Sequence, residues 1–172
     1  MAIFETDKQY IANTYARFPV ELSEGNGSLL YGEDDKEYID LGSGIAVNTF
    51  GTADDEWLEA VTNQLNTLTH TSNLYFSEPC ARLAQMLCER TGMKKAFFGN
   101  SGAEANENAL KVASFHTGRK KILALSKAFH GRTSGAVEAT DNPKIQAEFN
   151  RNGNITFIPM NDVAAAAEHL LT

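Results

Sequence analysis

Lys95-Ala96-Phe97-Phe98-Gly99-Asn100-Ser101-Gly102-Ala103-Glu104-Ala105-Asn106-Glu107-Asn108-Ala109-Leu110-Lys111 reads as a short apolar strand, a turn of small residues and the start of a helix. Ser101 is a favoured N-cap residue and Glu104 stands three positions on, the spacing of a capping box, so the helix is predicted to begin at Gly102. A helix start presents unpaired N–H groups and the positive end of the helix dipole, and at Gly102 no side chain obstructs an approaching anion. The pattern suits a phosphate site. It suits equally an ordinary capped helix after a strand.

Downstream, the helix is expected to close near Thr117-Gly118, and Lys121 to Leu125 and Asn154 to Ile158 read as buried strands. Asn161 or Asp162 would cap a last helix running towards Leu170. This alternation predicts a right-handed α/β unit with a largely parallel sheet. Upstream, Asp54 to Leu68 carries Trp57, Leu58, Val61, Leu65 and Leu68 at helical spacing, an expected core face. Pro79 opens a helix to about Arg90, with Leu83, Met86 and Leu87 expected to face inward and Gly92 to stop it. Leu29 to Tyr31 and Tyr38 to Leu41 flank a polar turn as a hairpin, and Met1 to Val20 reads as a helical arm ended by Pro19.

With 172 residues, 42% hydrophobic and 22% charged, the chain has the profile of one globular core or part of a larger one. A net charge of -7 argues against an extended nucleic-acid partner, which needs clustered Lys and Arg. Cys80 and Cys88 fit neither a C-x-x-C pair nor a zinc site, no metal site is expected, and two reduced thiols suit the cytoplasm. No apolar run approaches membrane-spanning length, and no secretory leader pattern is present.

Asn100 to Glu107, NSGAEANE, resembles the phosphate-cup motif of the class III, pyridoxal-phosphate-dependent aminotransferases. Ala128-Phe129-His130-Gly131-Arg132-Thr133 resembles that family's next motif, and Ser43-Gly44-Ile45-Ala46-Val47-Asn48 its N-terminal one. Three motifs in order are more specific than any one. The resemblance implies an α/β fold, part of the large domain of the fold type I (aspartate aminotransferase-like) architecture, with an N-terminal arm and hairpin. Residues 1–52 would form the arm and hairpin segment, and 53–172 the first part of the large domain. The glycine that the family usually has within the hairpin turn, just before the residue matching Lys36, is replaced by Asp35, and Gly51-Thr52-Ala53-Asp54 keeps only the glycine of the family's Gly-His and nearby proline.

For the site, the resemblance implies that Ser101, Gly102 and Ala103 hold the phosphate of pyridoxal 5'-phosphate and that Phe129 covers its ring. Arg132 would grip the carboxylate of amino-acid and 2-oxo-acid substrates, through a planar fork that binds both oxygens. Thr71 to Phe76 resembles the segment that meets the partner subunit, implying a homodimer. His130 is read as a structural hydrogen-bond partner, and Glu104 and Glu107 as carboxylates at a helix N-terminus rather than a catalytic pair. Neither Lys111 nor Lys127 matches the family's Schiff-base lysine motif, so no catalytic residue is assigned in this chain. It is expected to be the N-terminal part of a longer enzyme, inactive and unstable alone, because a truncated parallel sheet leaves apolar faces uncovered. Within the class, members acting on ornithine, succinylornithine or 4-aminobutyrate share these motifs and are alternatives, as are a non-catalytic phosphate- or cofactor-binding module and a structural partner that dimerises through its sheet.

Overall fold

The computed structural model describes residues 3–34 and 36–170, in two compact units that divide the chain between Phe76 and Ser77. Asp35, on which the hairpin turn type depends, lies outside the described residues, as do the first two residues of the arm.

The first unit opens with α1 (Ile3–Tyr10). The helical arm is therefore shorter than expected, and Ile11, Tyr15 and Phe18 lie beyond it. Short helices are held mainly by packing of an apolar face, and here Tyr10, Tyr15 and Phe18 all remain exposed. The irregular segment is tied back instead by Arg17, whose guanidinium lies 3.4 Å from Asp7.

Three antiparallel strands follow in the order β1 (Leu22–Asn26), β2 (Leu29–Gly32), β3 (Glu37–Ile39). The expected hairpin forms from β2 and β3, in a register that sets Leu29 opposite Ile39 and Tyr31 opposite Glu37. Strand β1 is an addition, its pairing broken between Leu22 and Glu24. Next, α2 (Ser43–Ala46) is one left-handed turn, with φ near +60° at Gly44, Ile45 and Ala46. The Asp40 carboxylate accepts from the N–H groups of Gly42 and Ser43 at its start. Helix α3 (Asp55–Thr67) starts where expected: Asp54 caps it, accepting from Trp57 N at 2.8 Å. Its apolar face is not core, since Trp57, Leu58, Leu65 and Leu68 are all exposed; the cap and the acidic first turn, Asp55 and Glu56, support the helix without burial.

The second unit begins with α4 (Glu78–Thr91), closed by Gly92 in the left-handed conformation. Leu83, Met86 and Leu87, expected inward, are exposed as well. Residues 95–98 are irregular rather than a strand, because a strand is held by its ladder and none of the described residues pairs with them. Helix α5 (Gly102–Thr117) begins and ends as its sequence signals require, at Ser101 and at Gly118 with φ +70°. Strands β4 (Ile122–Leu125) and β5 (Ile155–Ile158) pair in parallel, Ile122 with Ile155 through Leu125 with Ile158.

A parallel pair needs a crossover, and residues 126–154 supply it with α6 (Ser134–Glu138) and two 3-10 turns, Pro143–Ile145 and Glu148–Asn150. The buried core lies here: Ala136, Val137 and Ala139 of α6 and its C-cap, with Ala124 of β4 and Ile158 of β5. Glu138 is buried among them, and its carboxylate accepts from the backbone N–H groups of Asn152 and Asn154, which fixes the entry to β5. Helix α7 (Val163–Leu170) is capped by Asp162, which accepts from Ala165 N at 2.9 Å. Among the described residues no helix is long and apolar enough to cross a membrane.

Candidate functional site

At the start of α5, Ser101 has extended backbone and its Oγ accepts from Glu104 N at 3.2 Å. The Glu104 carboxylate turns back past the cap residue and accepts from the backbone and side-chain nitrogens of Asn100. These contacts leave the first two N–H groups of the helix, those of Gly102 and Ala103, without an acceptor among the described residues. Open space lies where a Gly102 side chain would stand, with nothing within 4 Å. Two free donors at the positive end of a 16-residue helix, with open space beside Gly102, fit a phosphate dianion. The cavity of about 770 Å³ behind the helix start is a poorer place for one. It is lined by the carboxylates Glu104, Glu107 and Glu138 against a single cation, Lys111.

The loop after β4 is brought onto that helix start by specific contacts. Asp141 accepts from Lys127 N at 2.8 Å and donates its own N–H to Ala128 O. The hydroxyl of Thr140, itself 1% exposed, accepts from His130 N at 2.9 Å and donates to Ala136 O. From α5, Asn106 Nδ2 donates to His130 O at 2.7 Å. Gly131, at φ +141°, then lies flat against α5: a Cβ there would stand 2.6 Å from Ala103 Cβ and 3.0 Å from Ala103 Cα. Only glycine permits that approach.

Phe129 and Arg132 flank this contact. The ring of Phe129 is 64% exposed. Arg132 is exposed and makes no ion pair among the described residues, so its guanidinium is available to a ligand. His130 contributes through its backbone, which is bonded at both N and O. Lys111 lies on α5 and Lys127 at a left-handed position just before the loop. No cluster of His, Cys, Asp or Glu among the described residues could hold a metal ion.

Glu107 departs from its expected role. It does not serve its own helix's N-terminus; Oε1 accepts from Gly135 N at 2.7 Å and Ala136 N at 3.0 Å, capping α6 from 28 and 29 residues away. Thr133, the local N-cap residue of α6, makes no side-chain cap bond of its own. Burial pushes the Glu107 carboxyl up, but hydrogen bonds from Ala136 N, the Thr133 hydroxyl and Gly135 N outweigh it and hold it below its ordinary value of 4.5. A depressed folded-state value contributes stability that is present above about pH 4.5 and is lost as pH falls through the lower folded value. Glu107→Gln is therefore expected to flatten the acid limb of a stability-against-pH curve as pH falls below about 4.5. Denaturation midpoints of both proteins across that range check it, and parallel curves would contradict it. Asn106, Glu107, Gly131, Thr140 and Asp141 all escaped the sequence reading as builders of the site.

The sequence profile described as "Aminotransferase class-III" matches residues 10–170. The chain belongs to that family. Among curated relatives, the acetylornithine aminotransferase of Haemophilus ducreyi is 46% identical over 153 residues, covering 86% of this chain and 39% of that protein. The acetylornithine aminotransferase of Methanocaldococcus jannaschii is 41% identical over 171 residues, covering 95% of this chain and 43% of that protein. This class-III aminotransferase chain thus spans about two fifths of the length of the curated relatives it matches. Among solved structures, the ornithine aminotransferase of Toxoplasma gondii superposes with a TM-score of 0.90 at 25% identity, covering 98% of this chain and 42% of that one. A second structure of the Toxoplasma enzyme has pyridoxal phosphate at partial occupancy in its active site. The architecture is the mixed α/β one of fold type I, part of its large domain. Pyridoxal phosphate is the cofactor of the family.

Proposed function

We propose that this chain supplies the phosphate, ring and carboxylate contacts of an acetylornithine aminotransferase. That enzyme would move an amino group from N-acetylornithine to 2-oxoglutarate, giving N-acetylglutamate semialdehyde and glutamate in arginine biosynthesis. The observation that carries the reading is the Gly131–Ala103 contact, which joins the Phe129–Arg132 loop to a helix start with two unpaired donors. When bound, pyridoxal phosphate supplies an electron sink that stabilises negative charge on the substrate carbon.

The chain's own residues do the holding. Gly102 and Ala103 donate their N–H groups to the phosphate, with Ser101 beside them. Phe129 offers an aromatic face that keeps the ring in plane and excludes water, a contribution of about 0.5–1.5 kcal/mol beyond burial. Arg132 takes a substrate carboxylate through two parallel hydrogen bonds. The sequence similarity to acetylornithine aminotransferases supports the donor assignment. The homodimer is supported by the segment 71–76, where Leu74 is 86% and Tyr75 69% exposed. We assign no Schiff-base lysine among Lys111 and Lys127, and we place the protein in the cytoplasm.

A panel of donors tests the reading on the protein at the length its source makes: N-acetylornithine, ornithine, succinylornithine and 4-aminobutyrate, each with 2-oxoglutarate. N-acetylornithine is expected to lead in kcat/KM by at least about tenfold, a gap of about 1.4 kcal/mol in transition-state binding. A lead for any other donor would move the assignment elsewhere in the class. A protein that binds the cofactor yet forms no glutamate from any donor would favour the non-catalytic module.

A further inference from the structure

The geometry points to Glu107 as a positioning residue that acts through Arg132: by capping α6 from the phosphate helix, it fixes where the carboxylate grip stands relative to the helix start. This inference rests on the reading of Arg132 given above. Ala103, Asn106 and Glu107 are spaced three and four apart, so they share one face of α5. Each touches the following loop at a different point. Ala103 meets Gly131, Asn106 holds His130 O at 2.7 Å, and Glu107 holds Gly135 N and Ala136 N at 2.7 and 3.0 Å.

Arg132 lies between these anchors, one residue after Gly131 and three before Gly135, while its side chain carries no ion pair among the described residues. The near anchor fixes only the approach to Arg132. The departure of the chain is capped by Glu107, because Thr133 makes no cap bond at the start of α6, with Asn150 Nδ2 on Ser134 Oγ at 3.3 Å and Thr140 on Ala136 O as further holds. A ligand held by phosphate at Gly102 and by carboxylate at Arg132 spans two points whose separation Glu107 sets.

Equilibrium binding to the cofactor-loaded protein tests this without a rate measurement. Glu107→Ala, which removes the oxygen that holds Gly135 N and Ala136 N, is expected to weaken 2-oxoglutarate binding about tenfold, as a displaced grip would, while the affinity for pyridoxal phosphate stays within about twofold. Gly135→Ala is a second route to the same displacement. Its Cβ would stand 2.7 Å from Glu107 Oε2 and push the carboxylate aside, at a helical position where alanine is a good helix former. It carries the test if Glu107→Ala fails to fold.

In an Arg132→Ala background, Glu107→Ala is expected to change 2-oxoglutarate binding no further. If Arg132→Ala alone leaves that binding unchanged, Arg132 is not the grip, and the inference falls with the reading beneath it. If Arg132→Ala weakens binding and the two displacing variants do not, the reading stands and the role of Glu107 is overturned. Equal weakening of 2-oxoglutarate and cofactor would also overturn it, showing a general structural effect.

Discussion

Gly102→Asp is expected to leave the fold intact and to weaken pyridoxal phosphate binding about a hundredfold or more. Nothing lies within 4 Å of the new Cβ, and Gly102 opens α5, where a carboxylate adds to helix stability by about 0.3–1 kcal/mol. The same carboxylate would stand where the phosphate must come. Repulsion of a dianion, with loss of hydrogen bonds to a charged group worth about 1.5–3 kcal/mol each, yields a penalty on the order of 3 kcal/mol, or about a hundredfold. Thermal unfolding of the apo protein and a spectroscopic titration with the cofactor separate the two effects. An unchanged cofactor affinity would mean that α5 is only a capped helix.

Gly131→Ala acts on the contact that assembles the site. The added methyl would stand 2.6 Å from Ala103 Cβ, 3.0 Å from Ala103 Cα and 3.1 Å from Ala136 Cβ. Two of these neighbours belong to α5, one of them backbone, so no flexible side chain can give way. Overpacking costs about 1–3 kcal/mol, and holding a side chain at a φ of +141° adds about 1–3 kcal/mol. A total on the order of 3 kcal/mol is expected in urea denaturation, with cofactor binding weakened as the loop lifts from the helix. A variant within about 0.5 kcal/mol of the parent would place the loop elsewhere.

The parts of the fold legible in the sequence are those whose signals are local. Ser101 and Gly118 bound α5 because a cap and a left-handed stop act within a turn of themselves. The hairpin of β2 and β3 and the strands β4 and β5 declare themselves by apolar runs. Strand β1, Leu-Ser-Glu-Gly-Asn, has no alternation to betray it. Helix α6 has only five residues and takes its cap from Glu107, far away in sequence, so no spacing rule reaches it.

The apolar faces of α3 and α4 were visible as periodicity, but periodicity shows only that a face is apolar, not that it is covered. In the site, Gly102 could be read from its place after a cap. The role of Gly131 could not, because it depends on Ala103, which meets it only in the fold.

A crystal structure of the protein with pyridoxal phosphate bound decides whether the start of α5 is a phosphate site or only a capped helix. Phosphate oxygens are expected at about 2.7–2.9 Å from the backbone nitrogens of Gly102 and Ala103, the range of charge-assisted hydrogen bonds, with the Phe129 ring against the pyridine. A phosphate bound away from the start of α5, with those two N–H groups still unpaired, would contradict it.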